Sequence, residues 1–338
     1  MKLSVLDQSP VPAGATPADA LRNTIDLARV ADRLGFERYW IAEHHATDSL
    51  ASPAPEILIA RVAAVTEGIR VGSGGVMLPH YSSLKVAETF RMLHALSPGR
   101  IDLGIGRAPG SSPLEAFALR RDRTDRWQVD DFPEQMVELL SFLDGSFPAD
   151  HPFHRIKISP YMPGAPEVWL LGSSMWSASA AAQLGLPYAF AHFIDPQHTR
   201  AALEYYRAHF DARQRLAAPQ VIVALGVVCA DTAAQAERLF ASTRLQRRRI
   251  RQGDRRPIAP PEEAIEELRA GPDPLRTESS EFPRYVTGDP LQVRRQLTQI
   301  AEALALEELM VVTVVHDHRA RVHSYELLAE AFGLSPRA

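Results

Sequence analysis

Eight strand-then-helix units follow one another along the 338-residue chain and predict an α/β fold, a closed (β/α)8 TIM barrel with loop insertions. Three observations carry this expectation. Strict alternation implies a parallel sheet with helical crossovers. The strand segments are rich in Val, Ile and Leu, as burial on both faces demands. The first strand leads into Asp7-Gln8-Ser9-Pro10-Val11-Pro12, without the glycine-rich phosphate loop that an open doubly wound sheet usually carries there. Length alone allows two domains, or one barrel of about 250 residues with insertions. No clean linker interrupts the chain, so a single domain over 1–338 is expected.

The elements are justified in order. Residues 3–7 read as a strand, and Thr16-Pro17 as an N-cap with proline at the first helical position. Leu21, Ile25, Leu27, Ala28, Ala31 and Leu34 form a helical apolar stripe that ends at Gly35. A strand over 38–42 ends in Glu43-His44-His45, followed by a helix over 55–66. Residues 69–78 read as a strand containing Gly72, Gly74 and Gly75, followed by a helix over 84–96 and a strand over 101–105 ending in Gly106-Arg107. An insertion of about 108–166 holds one helix near 134–143. The rhythm resumes with a strand over 167–171, Gly172-Ser173-Ser174 and a helix to about 184. Strands over 187–193 and 221–229 each precede a helix, and a second insertion spans about 244–287. A helix over 291–304, a strand over 309–315 and a helix over 325–332 close the pattern.

Composition narrows the function classes. With 46% hydrophobic and 23% charged residues the chain is ordinary globular protein. Its 37 basic and 41 acidic residues leave a net charge of −4, which gives no global reason to bind nucleic acid or an anionic membrane. Cys229 is the sole cysteine, which excludes internal disulfides and cysteine-based zinc sites. The N-terminus lacks the apolar core of a signal peptide, and no apolar run reaches the ~20 residues of a membrane span. A soluble cytoplasmic protein is expected. The arginines at 247, 248, 249, 251, 255 and 256 read as a solvated helix end or a mobile lid over the site rather than a nucleic-acid patch.

In a parallel barrel the chemistry sits at the C-terminal ends of the strands. There is no nucleophile elbow, no H-E-x-x-H and no Walker loop, and the run from Gly104 to Gly110 is G-x-G-x-x-x-G rather than a dinucleotide fingerprint. His316 and His318 lack the companion ligands a metal site needs, so no metal is expected; Asp317 reads as the cap of the last helix. Gly172-Ser173-Ser174-Met175-Trp176-Ser177 joins a strand to a helix and offers hydroxyls, free N–H groups and the positive end of the helix dipole to a phosphate, or serves simply as a serine cap. Arg107 is a candidate cation for the same phosphate, or a surface ion pair. Glycines inside the apolar strand at 72–75 suggest close approach by a flat ring. His44 offers a titratable group beside such a ring, or serves the structure.

Taken in order, YWIAEHH at 39–45, VGSGGVMLPH at 71–80, LKVAETFRMLHALSPGRIDLGIGRAPG at 84–110, PEVWLLGSSMWSA at 166–178 and VHDH at 315–318 resemble the bacterial luciferase-like flavin monooxygenases over nearly the whole chain. The resemblance implies an oxidoreductase that takes reduced FMN from a partner flavin reductase and reacts it with O2. The flavin hydroperoxide formed would oxygenate a small organic substrate. It implies that His44 is catalytic and that Gly74 and Gly75 are joined by a cis bond beneath the flavin. It places Gly106 in the flavin pocket and Arg107, Ser173, Ser174 and Ser177 at the phosphate. Where luciferase has a glutamate and a reactive cysteine, this chain has Ser173 and Gly106, so light emission does not follow. A deazaflavin-dependent hydride-transfer enzyme of the same superfamily, or a flavin-binding protein without turnover, are the alternatives. The family also implies a homodimer through the second and third barrel helices. The run from Pro55 to Val65 agrees, being apolar on nearly every side.

Overall fold

The computed structural model describes residues 1–107, 113–119, 130–273, 275 and 279–337. In chain order the elements are β1 (Lys2–Asp7), α1 (Pro17–Leu34), β2 (Arg38–Ile41), α2 (Pro55–Ala63), β3 (Arg70–Ser73), β4 (Val76–Met77), α3 (Ser83–Leu96) and β5 (Ile101–Gly106). The first excursion carries α4 (Pro113–Leu119) and α5 (Phe132–Asp144). Then come β6 (Glu167–Gly172), α6 (Met175–Gln183), β7 (Tyr188–Phe190), α7 (Thr199–Ala208), β8 (Val221–Cys229) and α8 (Ala233–Arg251). The second excursion carries α9 (Pro261–Arg269) and β9 (Tyr285–Gly288), and α10 (Pro290–Ala303), β10 (Glu308–Val312) and α11 (His318–Phe332) complete the fold.

The sheet closes on itself. Parallel pairing runs β1-β2-β3-β5-β6-β7-β8-β10, and β10 returns to β1 through Lys2↔Glu308 and Val5↔Val311. This is the eight-stranded parallel barrel with intervening helices that the alternation predicts. β9 is an addition: it pairs with the outer half of β8 from Gly226↔Tyr285 to Cys229↔Gly288. The strand read over 69–78 is broken into β3 and β4 by the cis Gly74–Gly75 bond.

Local signals act where they are legible. Thr16 caps α1 with a reciprocal bond to Asp19, Pro17 opens the helix, and Gly35 ends it at φ 87°. Asp317 caps α11 by accepting from the Ala320 N–H at 2.7 Å. The arginine segment differs from its expectation. α8 continues unbroken to Arg251, and Arg244, Arg248 and Arg249 are buried rather than solvated. The reason is α9, whose Glu263 and Glu267 pair with Arg249 and Arg248, while Arg244 pairs with Glu237 and Asp273. The second excursion therefore starts after Arg251, not at Arg244. Residues 108–110 of the G-x-G-x-x-x-G run lie outside the described residues.

The barrel interior is layered. Near the strand starts, Arg38 pairs with Asp102 at 2.9 Å and Glu308 at 3.1 Å, and Arg70 pairs with Asp102 and with Glu167 at 2.8 Å. Above them Trp40 and Trp169 meet edge to face, 5.4 Å between centroids, and Trp40 Nε1 donates to Asp102 at 2.8 Å. The same inner cluster contains Ala42, Ala189 and Ala224, and all three line the cavity described below. The glycines of this wall are dictated by the protein itself. A Cβ at Gly72 would lie 2.6 Å from Asp102, at Gly74 2.5 Å from Leu6, at Gly75 2.7 Å and at Gly104 2.1 Å from backbone oxygens of Gly104 and Ser73 respectively. A Cβ at Gly106 would meet nothing nearer than 3.9 Å. Contact between strands thus requires Gly72, Gly75 and Gly104 and the Leu6 side chain crowds Gly74, while Gly74, Gly75 and Gly106 also line the cavity. Gly104→Ala should cost about 1–3 kcal/mol through overpacking, while Gly106→Ala leaves the urea midpoint unchanged; coincident unfolding curves for the two variants would contradict this.

Candidate functional site

The alanine and glycine layer opens into a cavity of ≈ 690 Å³ at the C-terminal end of the strands. Trp40 and Met310 form its floor, and Gln8, His44, Gly74, Gly106, Arg107, Ser173, Ser174 and Phe193 contribute to its walls. Every site residue singled out in the sequence lines this one cavity, including Gly75 and Ser177. Other polar residues at or beyond the strand ends do not. His192 is buried and bonds Thr199 at 2.6 Å and the Pro283 carbonyl at 3.2 Å. Cys229 is buried, and burial, with Asp289 and Asp231 nearby, pushes its thiol up to about 12. His316 bonds the Ala13 carbonyl and His318 bonds Asp26, each at 3.0 Å, so the two turn to separate partners.

At the end of β2, neighbouring residues have opposite roles. Glu43 is buried and saturated: Oε1 accepts from Tyr81 and His45, both at 2.7 Å, and Oε2 accepts from the Met77 N–H at 3.0 Å. Burial and the Glu43 carboxylate hold the Tyr81 phenol well above its ordinary range. Glu43 thus fastens β2 to β4 and leaves the next residue free. The His44 N–H donates to Ser52 O at 2.8 Å, but its ring Nδ1 has no hydrogen-bond partner among the described residues. Burial, and secondarily His45, lowers the His44 pKa to about 4. The ring is therefore neutral at physiological pH, and His44 lines the cavity.

On the opposite wall β5 and β6 pair through Gly106↔Leu171, which sets Arg107 beside the start of α6. The Arg107 guanidinium lies 4.4 Å from the Trp176 ring centroid and pairs with Asp130. Ser174 caps α6, accepting from Ser177 N at 3.4 Å. The Ser177 hydroxyl is turned inward, bonding Ser174 O at 2.8 Å and Tyr188 OH at 2.9 Å. A Cβ at Gly172 would lie 2.3 Å from that hydroxyl, so glycine there lets the turn close. The helix start offers its unpaired N–H groups and dipole beside a guanidinium, an arrangement suited to a phosphate.

Residues 1–307 match the family model for luciferase-like monooxygenases. The chain is 39% identical over 327 residues to a luciferase-like monooxygenase of Escherichia coli K12, covering 96% of this chain and 95% of that one. It is 35% identical over 332 residues to the N-acetyl-S-alkylcysteine monooxygenase of Bacillus subtilis, covering 98% of each. Among solved structures, apo-MsnO8 superposes with a TM-score of 0.93 at 54% identity over 99% of both chains. The oxygenating constituent of 3,6-diketocamphane monooxygenase from Pseudomonas putida, in complex with FMN, shares the fold at a TM-score of 0.75 and 20% identity, over 100% of this chain and 99% of that one. The chain belongs to the luciferase-like monooxygenase family, whose characterised relatives here are oxidoreductases. No helix among the described residues is long and apolar enough to cross a membrane.

Proposed function

We propose that this protein is an FMN-dependent monooxygenase that accepts reduced FMN from a separate flavin reductase and oxygenates a small organic substrate. The observation that supports this reading is the convergence, in one cavity, of an unpaired neutral imidazole and a phosphate-suited helix start beside Arg107. When bound, reduced FMN supplies two electrons to O2, so that one oxygen atom enters the substrate and the other leaves as water. Arg107 and the α6 N-terminus, with Ser173 and Ser174, would hold the phosphate. The wall of Gly74, Gly75 and Gly106 would take the ring system, and the alanine layer would keep water from the reacting face.

His44 is the group that moves a proton in this reading. The neutral imidazole accepts a proton or hydrogen bond from the substrate side and returns it as the reaction completes. Glu43, fully occupied, keeps the backbone of this strand end in place. A homodimer built on α2 and α3 completes the proposal. Ile57 is 69%, Met92 55% and Leu96 70% exposed, apolar residues on two adjacent helices that a second copy would cover. The reading is of a cytoplasmic enzyme.

Arg107→Ala should weaken FMN far more than riboflavin in a fluorescence titration, because only FMN carries the phosphate; equal losses would remove the assignment. His44→Ala should lower product formation by about 10²–10⁴-fold and raise hydrogen peroxide release, with FMN affinity retained. The pH dependence has a definite sign. A pKa lowered from 6.5 to about 4 keeps the imidazole neutral until the medium is strongly acidic, so the wild-type rate should fall only as the pH nears 4. A limb centred on 6.5, or unchanged product yield in folded His44→Ala, would argue against the role. Ile57→Asp combined with Leu96→Asp should convert a dimer into a monomer in sedimentation velocity; a monomeric parent protein would dispose of the dimer.

A further inference from the structure

The end of β1 is held from behind. Asp7 is fully buried; it accepts from the Tyr39 hydroxyl, pairs with Arg321 of α11 and accepts from the Ser9 N–H at 2.7 Å. Ser9 stands in the left-handed region at φ 50°, a conformation that a residue other than glycine keeps only where its surroundings fix it. Those surroundings are the Thr24 hydroxyl of α1, 2.9 Å from Ser9 Oγ, and the Ala51 N–H, which donates to Ser9 O at 2.9 Å. Both neighbours of Gln8 are thus fastened to the helical layer. Gln8 alternates with them along the chain and, like Leu6 two residues before it, lines the cavity. It is half-buried, and its side-chain amide makes no hydrogen bond to another described residue.

The place of Gln8 in the ring decides what it can meet. β1 pairs with β2 through Asp7↔Ile41, and the Ala42 N–H donates to Asp7 O at 2.9 Å, so Gln8 stands level with Ala42 on the wall that also carries His44. β6 is four strands from β1 in either direction round the ring of eight, which puts the Gly172–Ser174 turn across the cavity. Among the described residues that line the cavity, Arg107 is the one arginine or lysine, and it lies on that far side; Gln8 is the one amide. On the near side Glu43 is buried with its carboxylate committed to three donors. An anionic group brought to this wall would meet that carboxylate and no cation. A carboxamide is different: it offers an N–H and a carbonyl, and is matched by a group that accepts and donates in turn. In apolar surroundings an unmatched end on either partner is costly.

We infer that Gln8 is a substrate-recognising residue of the β1 wall, its amide both donating to and accepting from an uncharged carboxamide or lactam on an otherwise apolar molecule. This rests on the cavity being the substrate site of the monooxygenase reading and adds the class of group it takes. The α6 turn, across the cavity, remains for the phosphate.

The test is calorimetric titration of the full chain, with and without FMN, with octanamide, methyl octanoate and octanoate. The amide offers a donor and an acceptor, the ester an acceptor alone, and the acid a charge. With FMN in place octanamide should bind better than octanoate. Gln8→Leu and Gln8→Met should each lower affinity for octanamide roughly tenfold, for methyl octanoate less and for octanoate not at all, with the urea midpoint of the parent. Octanoate bound better than octanamide in the FMN complex, an equal loss for amide and ester, no loss for the amide, or no saturable binding of any of the three would overturn the inference. FMN affinity, followed separately by fluorescence, should be the same in both variants as in the parent; a loss there would place Gln8 on the cofactor and overturn the inference as well. Amide binding that depends on Gln8, without FMN binding, would retire the monooxygenase reading alone. FMN binding without that dependence would retire the recognition by Gln8 alone.

Discussion

Asp102 carries the floor of the cavity. Its fully buried carboxylate accepts from the Trp40 indole and pairs with both Arg38 and Arg70. One negative charge thereby anchors two guanidinium groups and the ring on which the chamber rests. Glu308 pairs with Arg38 and Glu167 with both arginines, so three carboxylates surround two guanidinium groups. Breaking such a buried pair by removing one member costs about 3–5 kcal/mol, because the other is left uncompensated. Gly72 follows from the same group, since Asp102 occupies the space a side chain there would need. Charge at the bottom, indole in the middle and alanine at the top are one design: the lower layers are filled so that the upper one can remain open.

The chemistry of the upper layer depends on which polar groups are satisfied. Glu43 has three partners and holds the strand end; His44 beside it keeps a ring nitrogen unengaged. Ser177 is spent on Ser174 and Tyr188, whereas Arg107 lines the chamber. Saturated groups position and unsaturated groups receive. Arg107 is partly neutralised by Asp130, so any anion that met it there would compete with an internal carboxylate.

The sequence made the barrel legible because its signals are local. Capping at Thr16 and Asp317, the αL glycine at Gly35 and the apolar strands depend on neighbours a few residues away. Strand-end residues such as His44, Arg107 and Ser174 could be gathered because a parallel barrel brings all strand ends to one face. What was not legible depends on partners far along the chain. The glycines at 72–75 suggested a ligand, and Gly74 and Gly75 do line the cavity, but the packing of Asp102 and Gly104 against this strand could not be read from neighbours in sequence. The arginines after 243 looked solvated because Glu263 and Glu267 arrive only with α9. β9, four residues inside a long excursion, has no periodicity to announce it.

The pairing of Lys2 with Glu308 closes the sheet between two ends of the chain. During synthesis the first strand must therefore wait for almost all the rest before its neighbour arrives. Until then β1 and β8 are unpaired edges, open to other chains. The chamber, its floor and its mouth become complete only at that late step, so an unfinished polypeptide offers no enclosed space. Such long-range closure is slow to form. It makes assembly of the site an all-or-none event tied to completion of the ring, and it leaves the growing chain dependent on protection of its edges until then.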